Sequence, residues 1–107
     1  MIAPFLTNRT MKLFTYKGTK VYLKAEQYAN GGTLAVAMYK PDGELYDVIT
    51  TNLMDPMQSD SMAYLDENNH TGIGKWLEKR GLAIPMYVST RSGFCTYPLY
   101  TIFTSLF

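Results

Sequence analysis

Cys95, His70 and Asp66 are the residues through which this chain could do nucleophilic chemistry. A thiolate needs a base beside it and a third group to orient that base. All three residue types are present, but their spacing carries no specific signal. The plain alternative is a packed cysteine and a loop histidine. Asp66-Glu67-Asn68-Asn69 could offer carboxylate and amide oxygens to a hard cation. It lacks the alternating ligands and fixed glycine of a calcium loop, and it reads equally as a turn that caps a helix. Gly72 and Gly74 open a helical stretch whose free amides could meet an anion. No lysine of the phosphate-loop kind follows at the required place.

The run from Arg91 to Pro98, with Ser92, Gly93, Phe94, Cys95, Thr96 and Tyr97, places an arginine among aromatic rings. Together with Tyr100, these groups could stack on a base or on a partner's aromatic residue. The alternative is an ordered loop packed over a sheet. The residues expected to bind are therefore Arg91, Phe94, Tyr97 and Tyr100, with no catalytic set, no metal ligands and no cofactor.

Composition removes many functions. The chain has 107 residues, with ten Lys and Arg against nine Asp and Glu, one Cys and one His. A single cysteine excludes an internal disulfide and a multi-thiolate zinc site. A single histidine excludes two-histidine metal motifs. The near-neutral balance argues against bulk electrostatic binding of DNA. The opening Met-Ile-Ala-Pro-Phe-Leu-Thr does not read as a secretion signal, and no apolar run is long enough for a membrane helix. The expectation is a cytoplasmic protein away from membranes. Nine Tyr against five Phe suits half-buried sheet faces or a recognition surface.

Positioning falls to short strands separated by turn signals. Residues 1–9 read as an irregular arm. Met11–Tyr16 and Val21–Ala25 read as a hairpin across Lys17-Gly18-Thr19-Lys20. Asn30-Gly31-Gly32 and Pro41-Asp42-Gly43 are turns that flank a strand over Thr33–Tyr39. Tyr46–Leu53 reads as a fourth strand, while Ser61–Leu65 is open between strand and helix. Thr71–Arg80 reads as a short helix, with Ile73, Trp76 and Leu77 on one face. Asn69 or Thr71 would cap it and Gly81 would end it, and packing of Trp76 must hold so short a helix. Leu82–Ser92 reads as a long loop, with a last strand reaching Phe103 and Pro98 at an edge, bulge or strand start. The expected fold is α+β: a single domain with an antiparallel sheet of about five strands and one short helix packed on one face.

The segments Asp66-x-Asn68-Asn69, Trp76-Leu77 and Ser92-Gly93-Phe94-Cys95-Thr96-Tyr97-Pro98-Leu99-Tyr100 resemble the signature of a small bacterial family, domain of unknown function 4313. Tyr28–Val36 and Thr50–Leu53 are similar to its pattern too, so the likeness runs from about Met11 to Phe103. The resemblance carries over no catalytic residue. It implies a protein carried by plasmids, integrative elements or phages, where small proteins often antagonise host defence, as anti-CRISPR and anti-restriction proteins do. The absence of a dense acidic surface speaks against DNA mimicry.

The functional expectation is a non-catalytic inhibitor that binds a host defence effector or its RNA complex. The alternative is a nucleic-acid binding module using Arg9, Lys12, Lys17, Lys20, Lys24 and Arg91. A hydrolase or nuclease built on Cys95, His70 and Asp66 is a third possibility. The chain would be a monomer, or a homodimer through an open sheet edge.

Overall fold

The computed structural model describes residues 12–107. The expected N-terminal arm lies outside the described residues. Within them are eight strands and one α-helix: β1 (Phe14–Tyr16), β2 (Thr19–Gln27), β3 (Leu34–Tyr39), β4 (Leu45–Val48), β5 (Thr50–Thr51), β6 (Met62–Leu65), α1 (Ile73–Lys79), β7 (Ala83–Ser92) and β8 (Cys95–Ile102). Every strand pair is antiparallel. The strands form two four-stranded sheets, ordered β1-β2-β3-β4 and β5-β6-β8-β7. The expected class holds, with one short helix among the described residues, but the single sheet of about five strands is corrected to eight strands in two sheets.

The extra sheet comes from three segments. The expected Tyr46–Leu53 strand breaks at Ile49, where the chain passes from one sheet to the other. Ile49 N–H donates to Val36 O at 3.0 Å, and Ile49 O accepts from Asp66 N–H at 2.9 Å. Its backbone therefore joins both sheets, and its side chain is wholly buried. Met62–Leu65 resolves as a strand, paired with both β5 and β8. Leu82–Ser92, expected as a loop, is largely the ten-residue β7. Pro85 lacks an N–H, but β7 is an edge strand, where that loss is tolerated.

One core serves both sheets and the helix. It joins Val21, Leu23, Val36 and Met38 to Ile49, Leu65, Ile73, Leu77 and Ile102. The helix contributes its Ile73 and Leu77 face, as its spacing predicts. Its start differs from expectation. Neither Asn69 nor Thr71 caps it; Gly72 takes a left-handed conformation at the N-cap with no side-chain cap. The Glu67 carboxylate instead accepts from Gly72 N–H at 2.8 Å and Gly74 N–H at 2.7 Å. The expected left-handed end at Gly81 is present, and Leu82 N–H closes back onto Leu77 O at 3.0 Å.

Candidate functional site

The longest pairing in the second sheet is the β7–β8 hairpin. Its inner end is held on one side by β6, which pairs with β8 only at Leu99, Tyr100 and Thr101. Beyond that the hairpin continues as a two-stranded ribbon, from Ser89↔Pro98 to Ser92↔Cys95. Gly93, at φ 63°, takes the first corner of the turn and Phe94 the second. A glycine at that corner suits a type II′ turn, whose twist matches the strands. Pro98 pairs with Ser89 beyond the reach of β6, beside a bulge, one of the positions expected for it.

The bulge lies between Pro85 and Ser89. Pro85 faces Tyr100 and Ser89 faces Pro98, so Met86, Tyr87 and Val88 together stand opposite Leu99. Tyr87 has φ 60°, a left-handed conformation that costs an ordinary L-residue about 1–2 kcal/mol. Such strain persists only where the surrounding structure enforces it, and it clusters at functional positions. Tyr87 is 92% exposed and Phe94 99% exposed. Ile84, Met86 and Val88 are exposed as well. From Gly81 to Phe107 the sequence contains no Asp, Glu or Lys, and its single charged side chain is Arg91.

Sequence reasoning missed Ile84, Met86, Tyr87 and Val88, because Pro85 and the serines suggested a loop. The signal available was apolar alternation at Ile84, Met86 and Val88 before a Ser-Gly turn.

The four expected binding residues do not form one face. Arg91 and Phe94 are exposed and Tyr97 is half-buried, whereas Tyr100 is buried. Paired residues share a face in an antiparallel ladder, so Tyr97 sits with Thr90, and Arg91 with Thr96, on opposite sides of the ribbon. Tyr100 belongs to the core: its hydroxyl donates to Glu78 Oε2 at 2.6 Å and lies against Gly74.

Burial, then the hydrogen bond to Glu78, push the Tyr100 pKa upward, well above the ordinary tyrosine value. The neutral hydroxyl is the form the fold favours. Above about pH 10 an unfolded Tyr100 ionises while the folded one still holds its proton, so stability falls as pH rises. Melting temperature measured from pH 8 to 11 should drop, and Tyr100→Phe should flatten the drop. An unchanged slope would refute the assignment.

A hydrogen-bond relay anchors the ribbon. Thr90 Oγ1 donates to Tyr64 Oη at 2.9 Å, and Tyr64 Oη donates to Asp55 Oδ1 at 3.0 Å. Tyr64 is wholly buried, while its partners Thr90 and Asp55 are half-buried and can turn in part to water when its hydroxyl is removed. Tyr64→Phe should cost about 0.5–1.5 kcal/mol and speed amide exchange around Thr90. Unchanged exchange at Thr90 would show that the relay does not hold the ribbon.

The nucleophilic constellation is not assembled. His70 is buried with Nε2 3.1 Å from Asp47 Oδ2 on β4. Asp66 accepts from Asn69 N–H and Nδ2, and Cys95 lies on the ribbon opposite Ser92. The anion reading at Gly72 and Gly74 meets the Glu67 carboxylate already in place. Among the described residues no group of three His, Cys, Asp or Glu is arranged to hold a metal.

The expected cation set is divided. Arg9 lies outside the described residues. Lys12, Lys17, Lys20 and Lys24 lie along or beside the first hairpin, and Arg91 lies on the other sheet. Lys24 stands 3.9 Å from Glu26. A hollow of about 320 Å³ on the helix, lined by Gly72, Lys75, Trp76, Lys79 and Arg80, gathers three further cations. Arg80 is partly engaged there, donating to Trp76 O at 2.9 Å and Thr15 O at 3.3 Å. A second hollow of similar size lies between Asn30, Thr33, Asn52, Asp55 and Gln58. Its buried Gln58 already bonds Leu53, Asp55, Thr33 and Asn52.

The model of one protein family, Domain of unknown function (DUF4313), matches residues 22–106. The chain belongs to that family. The match begins in β2 and takes in α1 and the whole β7–β8 hairpin, including the bulge at Tyr87. No curated protein and no solved structure matches the chain. No helix among the described residues is long and apolar enough to cross a membrane.

Proposed function

We propose that this protein is a non-catalytic binding protein of a mobile element or phage that inhibits a host defence component, and that the β7–β8 hairpin is its contact. One observation carries the binding reading: an edge strand and hairpin tip leave Ile84, Met86, Tyr87, Val88 and Phe94 in solvent. Clustered exposed apolar residues mark interaction sites more than chance surface does. Aromatic residues and arginine are the types enriched in the cores of protein interfaces. The defence target rests on the resemblance to proteins carried by mobile elements.

Affinity capture of the tagged protein from a host lysate, with and without nuclease, tests the reading. A stoichiometric protein partner that survives nuclease, coupled to protection of an incoming phage or plasmid, is the expected result. A second reading, contact with nucleic-acid phosphates, draws on the Lys75, Lys79 and Arg80 hollow. Recovery of nucleic acid alone, in a salt-dependent manner, would put that reading first and remove the inhibitor reading.

A further inference from the structure

We infer that Asn30 is a site of spontaneous self-modification, at which the Gly31 backbone nitrogen displaces the Asn30 side-chain amide and leaves a carboxylate in the turn between β2 and β3. The inference is independent of the binding reading above, since it needs only this chain and water.

The chemistry is an intramolecular acyl transfer. The backbone nitrogen after an asparagine stands within reach of the side-chain carbonyl carbon. A bond forms between that nitrogen and Cγ, the Cγ–Nδ2 bond breaks, and the amide nitrogen leaves as ammonia with the proton of the attacking N–H. Water then opens the five-membered imide at one of its two carbonyls. One opening gives aspartate, and the other gives isoaspartate, in which the main chain runs through Cβ. Adjacency in the chain supplies the proximity that such a step needs. It further demands an attacking N–H free of hydrogen bonds, an unhindered approach and a side-chain amide free to turn.

Those demands separate Asn30 from the other asparagines. Among Asn8, Asn30, Asn52, Asn68 and Asn69, only Asn30 is followed by glycine. Asn8 lies outside the described residues. After Asn52, the Leu53 N–H donates to Gln58 Oε1 at 2.9 Å. Asn52 Oδ1 is itself held, accepting from Met54 N–H at 3.0 Å and Gln58 Nε2 at 3.2 Å. After Asn68, the Asn69 N–H donates to Asp66 Oδ1 at 3.3 Å. After Asn69, the His70 N–H donates to Asp66 O at 2.9 Å, and Asn69 Nδ2 donates to Asp66 Oδ2 at 2.9 Å. Exposure does not make the distinction, because Asn68 and Asn69 are exposed as well. Asp42-Gly43 could form the same imide by losing water. There the Gly43 N–H donates to Lys40 O at 2.8 Å, and Asp42 Oδ1 accepts from Glu44 N–H at 2.9 Å.

Asn30 meets every demand. Asn30 and Gly31 are exposed. The bonds that close the turn pass them by: Tyr28 N–H donates to Thr33 O at 2.9 Å and Gly32 N–H to Tyr28 O at 3.2 Å. The Gly31 N–H and the Asn30 side chain have no hydrogen-bond partner among the described residues. Gly31 carries no Cβ to obstruct the approach, and the space around it is open. The product differs in charge and in place. Exchange of a neutral amide for a carboxylate takes the formal net charge from +1 to zero, where association is least opposed. The new charge enters the hollow that Asn30 shares with Asp55, and like charges there repel.

The test holds the purified full chain in neutral buffer over a time course, with isoelectric focusing and peptide mapping by mass spectrometry. A more acidic band should grow, with the mass gain at Asn30 and both aspartate and isoaspartate present. Release of the bonds around Asn52 and Asn69 must precede reaction there, so Asn30 should lead them by about ten-fold or more in rate. Asp42 should stay in its normal linkage in the folded chain and isomerise when the chain is unfolded in urea. Asn30→Gln should yield no acidic band, and Asn30→Asp should focus from the start where the aged wild type does. Equal rates at Asn30 and Asn52 in the folded chain would overturn the inference. So would a folded chain that gains no acidic band while the urea-unfolded chain does, or a band that grows undiminished in Asn30→Gln.

Discussion

Trp76→Ala should destabilise this protein by about 2–3 kcal/mol, less than the cost at a fully buried tryptophan because its ring is half-buried, yet a large part of the roughly 5–15 kcal/mol that holds a domain of this size together. Trp76 is the joint between the helix and the first strand. Its ring packs edge-on against Tyr16 at 5.3 Å and Phe14 at 6.0 Å between centroids. Its indole N–H donates to Thr15 O at 2.9 Å. The Arg80 guanidinium lies over its face at 4.1 Å and also donates to Thr15 O at 3.3 Å. Truncation removes the ring contacts, the cation–π contact and one hydrogen bond together. A seven-residue helix is too short to persist without packing. The loss should therefore melt α1 and free β1 in one step. The variant loses the tryptophan fluorescence that would report urea denaturation, since Trp76 is the single tryptophan. Circular dichroism gives the midpoint instead, and Trp76→Phe should recover the packing but not the bond to Thr15. A midpoint within about 1 kcal/mol of wild type would show that the helix stands on its Ile73 and Leu77 contacts alone.

The elements legible in the sequence were those whose signals are local. The first three strands, their turns and the Ile73–Trp76–Leu77 face follow from alternation, from glycine and proline, and from helical spacing. What the sequence did not reveal depends on distant partners. Tyr46–Leu53 is a continuous β-prone run, and only the bonds of Ile49 to Val36 and Asp66 show why it divides. Pro85 looks like a breaker until β7 is known to be an edge strand. Glu67 looks like part of a polar turn, yet it caps the helix because Gly72 bends the chain back toward it.

The candidate contact was half legible for the same reason. Arg91 and Phe94 could be read from residue type and the glycine turn. Tyr87 could not, since its role comes from a bulge that exists only once β7 pairs with β8. Tyr100 misled because a tyrosine near the chain's aromatic cluster looks the same whether its hydroxyl meets water or Glu78. The position that decides between those two places is Gly74.

Gly74→Ala should destabilise the fold by about 1–3 kcal/mol, against the helix propensity that favours alanine by about 1 kcal/mol. The residue lies in the first turn of α1 and is buried, and its φ is negative, so its backbone does not require glycine. Space does. A Cβ there would run into the Tyr100 hydroxyl, with Tyr100 Cζ 2.7 Å away and Glu67 Oε2 at 3.0 Å. Tyr100 cannot easily retreat, because it is buried and tied to Glu78. Glu67 cannot retreat without releasing the amides of Gly72 and Gly74. The double variant Gly74→Ala with Tyr100→Phe deletes the nearest atom of the clash but leaves Cζ. Its cost should therefore be less than the sum of the two single costs, with a coupling of about 0.5–3 kcal/mol in a double-mutant cycle. Additive costs, or an alanine variant as stable as wild type, would mean that the helix and Tyr100 are not in close contact. Tyr100 would then be free to rejoin Arg91 and Phe94 in the binding surface.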